Sequence, residues 1–396
     1  MLNSITIPTS VTLIEEDAFL NCHNLTSIVI PESVKEIKGY AFCNCNSLKE
    51  IKLPTNLTEI SDGLFQNCIS LKSIEIPDNV KMIGAVAFLR CDSLRDIKAN
   101  YIEEIGDASF AKCKSLQEFV IPGTVKTIGR EAFSSCALTK VIIPKSTTKI
   151  SRNPFYNCNN LDIISVESGN PIYDSRDNCN AIIESATNKL VSTCKNSTIP
   201  VTIVTLGENS FYSLNHITEF KVPTNITTIE NGAFENCKNL TSIFIPKSVT
   251  KIGTRILSGC NNLKNIVVES GNPVYDSRDN SNAIIETETN TLISTCTDSK
   301  IPETVVAIGD FAFFNSNVKS ITLHSGIKAI GRQAFSHCSN LTSIISHIPA
   351  KSVPQLEENT FNMSNTGKCT LYIPHGTTGT YKSLPVWRTF ENTVEM

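Results

Sequence analysis

A single beat constrains what this chain can fold into. Phenylalanine falls at positions 19, 42, 65, 88, 110, 133 and 155, then at 211, 234, 313, 335 and 361, with Leu257 standing in once, which makes thirteen units. Leu25, Leu48, Leu71 and Leu94 are 23 residues apart, Leu116 and Leu138 follow at 22, and Leu161 returns to 23. At 396 residues a chain would ordinarily divide into two or three domains, at roughly 100–200 residues each. A fixed period overrules that division, because a unit this short cannot enclose a core alone and must stack on its neighbours.

The first full unit shows what each position does. Leu25-x-x-Ile28-x-Ile30 is followed by Pro31, Val34, Ile37, Ala41, Phe42 and Cys45 before Leu48 restarts the pattern. Side chains alternate along a strand, so Ile28 and Ile30 share the inner face and Val29 points outward. Pro31 stops the strand, since it has no N–H for the next ladder bond. Ile37 turns the chain back to the interior, and Ala41 with Phe42 closes the coil. A period of 20–29 with this Leu/Ile core is the mark of leucine-rich repeats, each contributing a strand to a parallel sheet. The expected fold is therefore α/β and β-rich: a right-handed solenoid of about thirteen turns with one continuous parallel sheet and short helical or 3-10 turns. Glycine after the return segment, at 84, 106, 129, 207, 253, 309 and 331, implies either a positive φ or a tight approach to the neighbouring coil.

Ten of the fifteen cysteines, at 22, 45, 68, 91, 113, 136, 158, 237, 260 and 338, lie three residues after the Phe position. They read as a ladder of buried free thiols acting as small apolar groups. Disulfides between parallel Cβ vectors would be strained, and without any Cys-x-x-Cys a zinc site is not expected.

The unit Leu-x-x-Ile-x-Ile-Pro-x-x-Val-x-x-Ile-Gly-x-x-Ala-Phe-x-x-Cys resembles the BspA-like subgroup of leucine-rich repeats, found in many bacterial surface proteins. That resemblance covers almost the whole chain. It implies an exported protein associated with adhesion to host or matrix proteins or to other cells.

Two stretches depart from the unit, 166–199 and 268–301, the second displaced from the first by 102 residues. Each carries Glu-Ser-Gly-Asn-Pro-(Ile/Val)-Tyr-Asp-Ser-Arg-Asp-Asn, from Glu167 and from Glu269. Ala181-Ile182-Ile183 and Leu190-Val191 then read as a hairpin, so an enlarged coil is expected. Asp174, Asp177, Asp276 and Asp279 could suggest calcium, but their spacing fails the EF-hand pattern and Asn, Asp and Ser are ordinary turn residues. Cys179 and Cys194 flank the first hairpin and could pair, whereas the second copy has Ser281 opposite Cys296. From Lys368 the period is lost. Leu371-Tyr372-Ile373-Pro374 supplies a last strand, and Tyr381, Leu384, Trp387 and Phe390 are expected to cap the open core. The reading is a solenoid over 1–367 and a cap over 368–396. At the other end Leu2 enters directly at a strand position without such cover, which favours a longer parent protein.

No signature of catalysis is present: there is no Gly-x-Ser-x-Gly, His-Glu-x-x-His, Walker loop or Gly-x-Gly-x-x-Gly. The six histidines are scattered among different coils, and His337 beside Cys338 should point away from it. The chain is read as non-enzymatic, without cofactor or metal. A net charge of −3 with interspersed signs gives no basic face for nucleic acid or anionic lipid. No apolar run approaches the roughly 20 residues of a membrane span. The chain itself shows no export signal, so either the protein is cytosolic or the signal belongs to a longer parent protein, and the resemblance implies the latter, with a cell-surface or secreted location.

Binding is expected on the outward strand row, which runs through Val29, Lys52, Glu75, Lys98, Val120, Ile142, Lys221, Phe244, Val267, Thr322 and Ile345. Val120 with Ile142 and Phe244 with Val267 put apolar groups where polar ones would serve. β-Propensity, or cover from a neighbouring long side chain, would explain them equally. As a site, the row binds a protein ligand through these four, with Phe244 and Val120 as anchors, while Lys52, Glu75, Lys98 and Lys221 set orientation. The leading reading is a monomeric adhesion or protein-binding module. A structural spacer and a polysaccharide binder are the alternatives, the last disfavoured because the row contains no Trp or Tyr.

Overall fold

The computed structural model describes residues 4–396; the expectation for Leu2 lies outside them. The chain forms two compact units, Met1–Pro200 and Val201–Met396. In each the build is a parallel-strand solenoid of stacked coils with very little helix.

Every coil has three walls, and the first unit shows them most plainly. The strand wall comes from the Leu-x-x-Ile-x-Ile segments. Ser27–Val29 pairs in parallel with Glu50–Lys52, matching Ile28 to Ile51 and Val29 to Lys52. As the alternation requires, Ile28 and Ile30 are buried and Val29 between them is 66% exposed. A second wall is a ladder of two-residue strands at the Ile37 position. Glu59–Ile60, Met82–Ile83, Glu104–Ile105, Thr127–Ile128 and Lys149–Ile150 pair in order and set their isoleucines in one column, buried from Ile60 to Ile128 and half-buried at Ile150. The spacing places Ile37 inside; the ladder it forms is additional. This second ladder runs unbroken over those five strands, whereas the strand wall is divided into short parallel groups.

The third wall carries the phenylalanines. Phe19, Phe42, Phe65, Phe88, Phe110, Phe133 and Phe155 stack with ring centroids 5.0–5.8 Å apart. In the second unit Phe211 stacks on Phe234, and Phe313, Phe335 and Phe361 continue the pattern. The coil turns here by two interleaved sets of hydrogen bonds. Cys43 and Cys45 donate their N–H within the coil, to the Tyr40 and Phe42 carbonyls, while Tyr40, Phe42 and Asn44 donate to Asp62, Leu64 and Gln66 of the next coil. Residues two before and two after the Phe, such as Tyr40 and Asn44, adopt φ near +60°. Alternating handedness keeps this wall a flat ladder of turns, where a run of right-handed residues would wind into helix. Asparagine suits the left-handed sites, and Asn21, Asn44 and Asn67 link side chain to side chain across coils at 2.7–2.8 Å.

The recurrent glycines answer to the tight approach. Gly106 has no positive φ, and a Cβ on it would lie 2.6 Å from the Gly84 carbonyl carbon of the coil before. The cysteine ladder is free and buried, Cys22 being half-buried. Each thiol from Cys45 onward also donates to the Phe carbonyl of the preceding coil, as in Cys91 Sγ to Phe65 O at 3.1 Å and Cys237 Sγ to Phe211 O at 3.0 Å. The position therefore wants a small group that can also donate, which a purely apolar reading misses.

Both departures are enlarged coils bearing a hairpin. Ala181–Glu184 pairs antiparallel with Lys189–Thr193, and Ala283–Glu286 with Thr291–Thr295. The repeated polar stretch is consumed in holding each hairpin. Asp174 takes two bonds from the Arg176 guanidinium, at 2.9 and 2.5 Å, and one from Ser185 at 2.6 Å. Arg176 also reaches Asn188, and the Tyr173 hydroxyl accepts the Ile150 N–H. Copy two repeats this with Asp276, Arg278, Asn290 and Tyr275. Cys179 and Cys194 are both free thiols.

At the end of the second unit, Tyr381, Trp387 and Phe390 are fully buried. They pack over the last ring of the stack, Phe390 lying 5.1 Å from Phe361 edge-on, and Trp387 Nε1 donates to the Pro354 carbonyl. The strand Thr370–Ile373 is not the last. After the helix Thr378–Ser383, the strand Asn392–Glu395 pairs with it in parallel.

Candidate strand-face binding site

In the first unit the outward row places Lys52, Glu75 and Lys98 on strands with exposed side chains. Glu75 stands directly across from Lys98. Val120 is 87% exposed and Ile142 40%. Ile142 lies on Lys140–Ile143, opposite Ser165. Val120 lies on no strand: residues 117–121 make a gap in the wall between Asp96–Lys98 and Lys140–Ile143. A cleft of about 900 Å³ opens there, lined by Lys72, Arg95, Ile97, Lys98, Phe119 and Val120 among others.

In the second unit the strand register brings Lys221, Phe244 and Val267 into one line. Phe244 is half-buried, because the Lys221 ammonium sits over its ring, 5.3 Å from the centroid. Such a contact is worth about 0.5–1 kcal/mol at an exposed site, so Lys221 shields the ring as well as carrying charge. Further on, Thr322, Ile345, Tyr372 and Val394 are cross-strand partners in turn. Tyr372 and Val394 belong to the row although they fall beyond the regular repeat. The row therefore does contain a tyrosine, which removes the argument made from its absence against a polysaccharide.

The thiols of the cysteine ladder are turned inward. Burial pushes the thiols of Cys45, Cys237 and Cys338 up to about 12, far from the thiolate that a nucleophile requires. His337 and Cys338 do point apart: the ring packs on Phe314 while the thiol donates to the Phe313 carbonyl. Among the described residues no three His, Cys, Asp or Glu side chains converge to hold a metal, and no helix is long and apolar enough to cross a membrane.

Parallel strands, stacked phenylalanines and a solvent-facing strand row define the class: a leucine-rich-repeat solenoid. By sequence the chain matches the BspA type leucine rich repeat region, with six copies, over residues 1–102, 97–179, 180–295 and 283–382. The chain belongs to that family. It is similar in structure to a leucine rich cell surface protein of Faecalibacterium prausnitzii, with 26% identity, a TM-score of 0.55, and 97% of this chain and 91% of that one covered. A leucine-rich repeat protein of Bacteroides ovatus is 23% identical with a TM-score of 0.48, covering 99% of this chain and 91% of that one. No curated protein sequence matches the chain closely enough to count as a relative.

Proposed function

We propose that this chain is a non-enzymatic protein-binding or adhesion module of a bacterial surface or secreted protein, gripping its ligand on the strand face. The observation that carries the reading is the exposure of apolar side chains on the outward row, with Val120 at 87%. Exposed apolar groups among charges are what a protein partner can desolvate. Cell-surface placement of the similar Faecalibacterium prausnitzii protein supports the location. Phe244 and Val120 serve as anchors with Ile142 and Val267 beside them, and Lys52, Glu75, Lys98 and Lys221 orient the partner. The chain acts as a monomer, with residues 1–367 as the binding solenoid and 368–396 as its cap.

The test immobilises the chain and measures capture of purified extracellular-matrix proteins by surface resonance. Phe244→Asp should abolish capture while leaving the thermal melt unchanged, and capture that survives it would remove Phe244 from the site. A spacer would capture nothing. A polysaccharide binder is the second reading, favoured by Tyr372 on the row, and predicts capture of glycan that Tyr372→Ala removes.

A further inference from the structure

We propose that the break at residues 117–121 in the first unit's strand wall is a slot for an extended acidic peptide, which enters as an added strand between Asp96–Lys98 and residues 118–121. The inference rests on the strand face being a protein-binding surface and names the segment that this part of it takes.

The backbone makes the first case. In the preceding coils the residue after the repeat leucine donates to the coil before, Lys49 N to Thr26 O at 2.9 Å and Arg95 N to Lys72 O at 3.0 Å. Gln117 holds the same position, and its N–H has no such bond. Among the described residues, 118–121 neither donate nor accept a backbone hydrogen bond, and Asp96–Lys98 pairs only with Ser73–Glu75 on its other side. Asp96 N–H and the Lys98 carbonyl are used by the coil before, so Ile97 on one side and residues 118–121 on the other hold the open N–H and C=O groups that strand addition uses.

Sequence explains why the wall opens here. Ala99 stands where earlier coils have Ile30 and Ile76, no proline follows it, and the interval to Leu116 is one residue short. Phe119 takes the inner strand position and leans on Phe110 and Phe133 at 5.2 and 5.3 Å. Phe220 makes equivalent contacts with Phe211 and Phe234, yet its strand Glu219–Lys221 still pairs. The ring alone therefore does not open the wall.

Space and charge define the occupant. A cleft of about 900 Å³ lies within the roughly 300–1,000 Å³ of ligand sites. Its floor includes Ile97, which like Ile51 is half-buried where Ile28 and Ile74 are 3% and 4% exposed. Of its four cations, Arg95 pairs with Asp96 at 3.4 Å and Lys114 with Asp92 at 2.7 Å. Lys72 and Lys98 have no carboxylate within ion-pair distance among the described residues. Asp96 and Glu118 are the acids on the lining, and with Arg95 and Lys114 paired and Glu75 across the strand from Lys98 the attraction for an anion rests on Lys72 and Lys98. Because side chains alternate along a strand, one set of the guest's residues meets Ile97 and Phe119 while the other lies beside Lys98 and Val120. The first set is apolar and the second is carboxylate.

The probe is a fluorescein-labelled peptide of alternating Glu and Val, seven residues long, titrated with the whole chain and read by anisotropy. Saturable binding is expected, weakened about tenfold or more by Lys72→Glu with Lys98→Glu at an unchanged melt. Methylating alternate backbone amides of the peptide should weaken it to a similar extent, and this arm needs no variant that must fold. Absence of saturable binding, or equal binding of the methylated peptide, overturns the proposal. A heparin fragment that binds as tightly and displaces the peptide overturns it in favour of a polyanion site. Matrix-protein capture that persists when the peptide fails removes the slot alone; loss of both removes the binding reading itself.

Discussion

The turn wall and the strand wall of one coil are made by the same repeat and treated very differently. On the turn wall, phenylalanines, thiols and backbone groups are tied from one coil to the next at almost every unit. The strand wall pairs in short groups, opens at residues 117–121, and leaves Val29, Val120 and Ile142 facing solvent. The contrast teaches where stability is kept and where the surface is left available. A protein that concentrates its cohesion on one side can vary the other without unfolding.

That division can be broken or sharpened by substitution, taken from the strongest effect downward. Phe88→Ala on the turn wall should cost about 3–5 kcal/mol, since the ring is fully buried between Phe65 and Phe110 and its loss leaves a cavity. Urea unfolding measures it, and a cost below one kcal/mol would end the claim that this wall carries the fold. Gly106→Ala presses a methyl against the Gly84 backbone and should cost about 1–3 kcal/mol; a neutral effect would mean that adjacent coils can part without penalty. The hairpin insert is an intermediate case. Arg176 holds the Asp174 carboxyl down to about 2. Because the folded value lies below the ordinary one, this contribution is complete above about pH 4 and fades as pH falls toward 2. Asp174 is partly exposed, so Asp174→Asn should cost only about 1–2 kcal/mol at neutral pH and well under half of that at pH 2, where the carboxyl is about half protonated. Thermal melts at both pH values decide it, a pH-independent difference excluding the ion pair. Smallest of all, Val120→Asp should change stability by less than about 0.5 kcal/mol, and a larger loss would show that the strand face is structural after all.

What could be read from the chain follows the same contrast. Phe42, Ala41, Leu25 and Ile28 announce themselves because burial imposes an apolar residue at every period. Left-handed backbone at Tyr40, Val86 and Arg90 does not, since hydrogen bonding to the next coil enforces it on residues with no preference for it. The two-residue ladder through Ile60 and Ile83 looked like a turn because one inward side chain carries no alternation. The gap at 117–121 coincides with a one-residue shortening but is set by stacking that no single coil announces, and Tyr372 and Val394 join the outward row through a register that no period announces. The thiol donors were legible as buried and illegible as donors, for the accepting carbonyl belongs to another coil.

The bonds of the turn wall run from coil to coil, along the direction of stacking. A tether pulling on a unit along that direction would load them one rank at a time, so rupture should proceed as peeling, with a saw-tooth of small, nearly equal force peaks. For a molecule anchored at one end and gripping at the other, such yielding would dissipate shear gradually and allow the detached coils to rewind once the load is released.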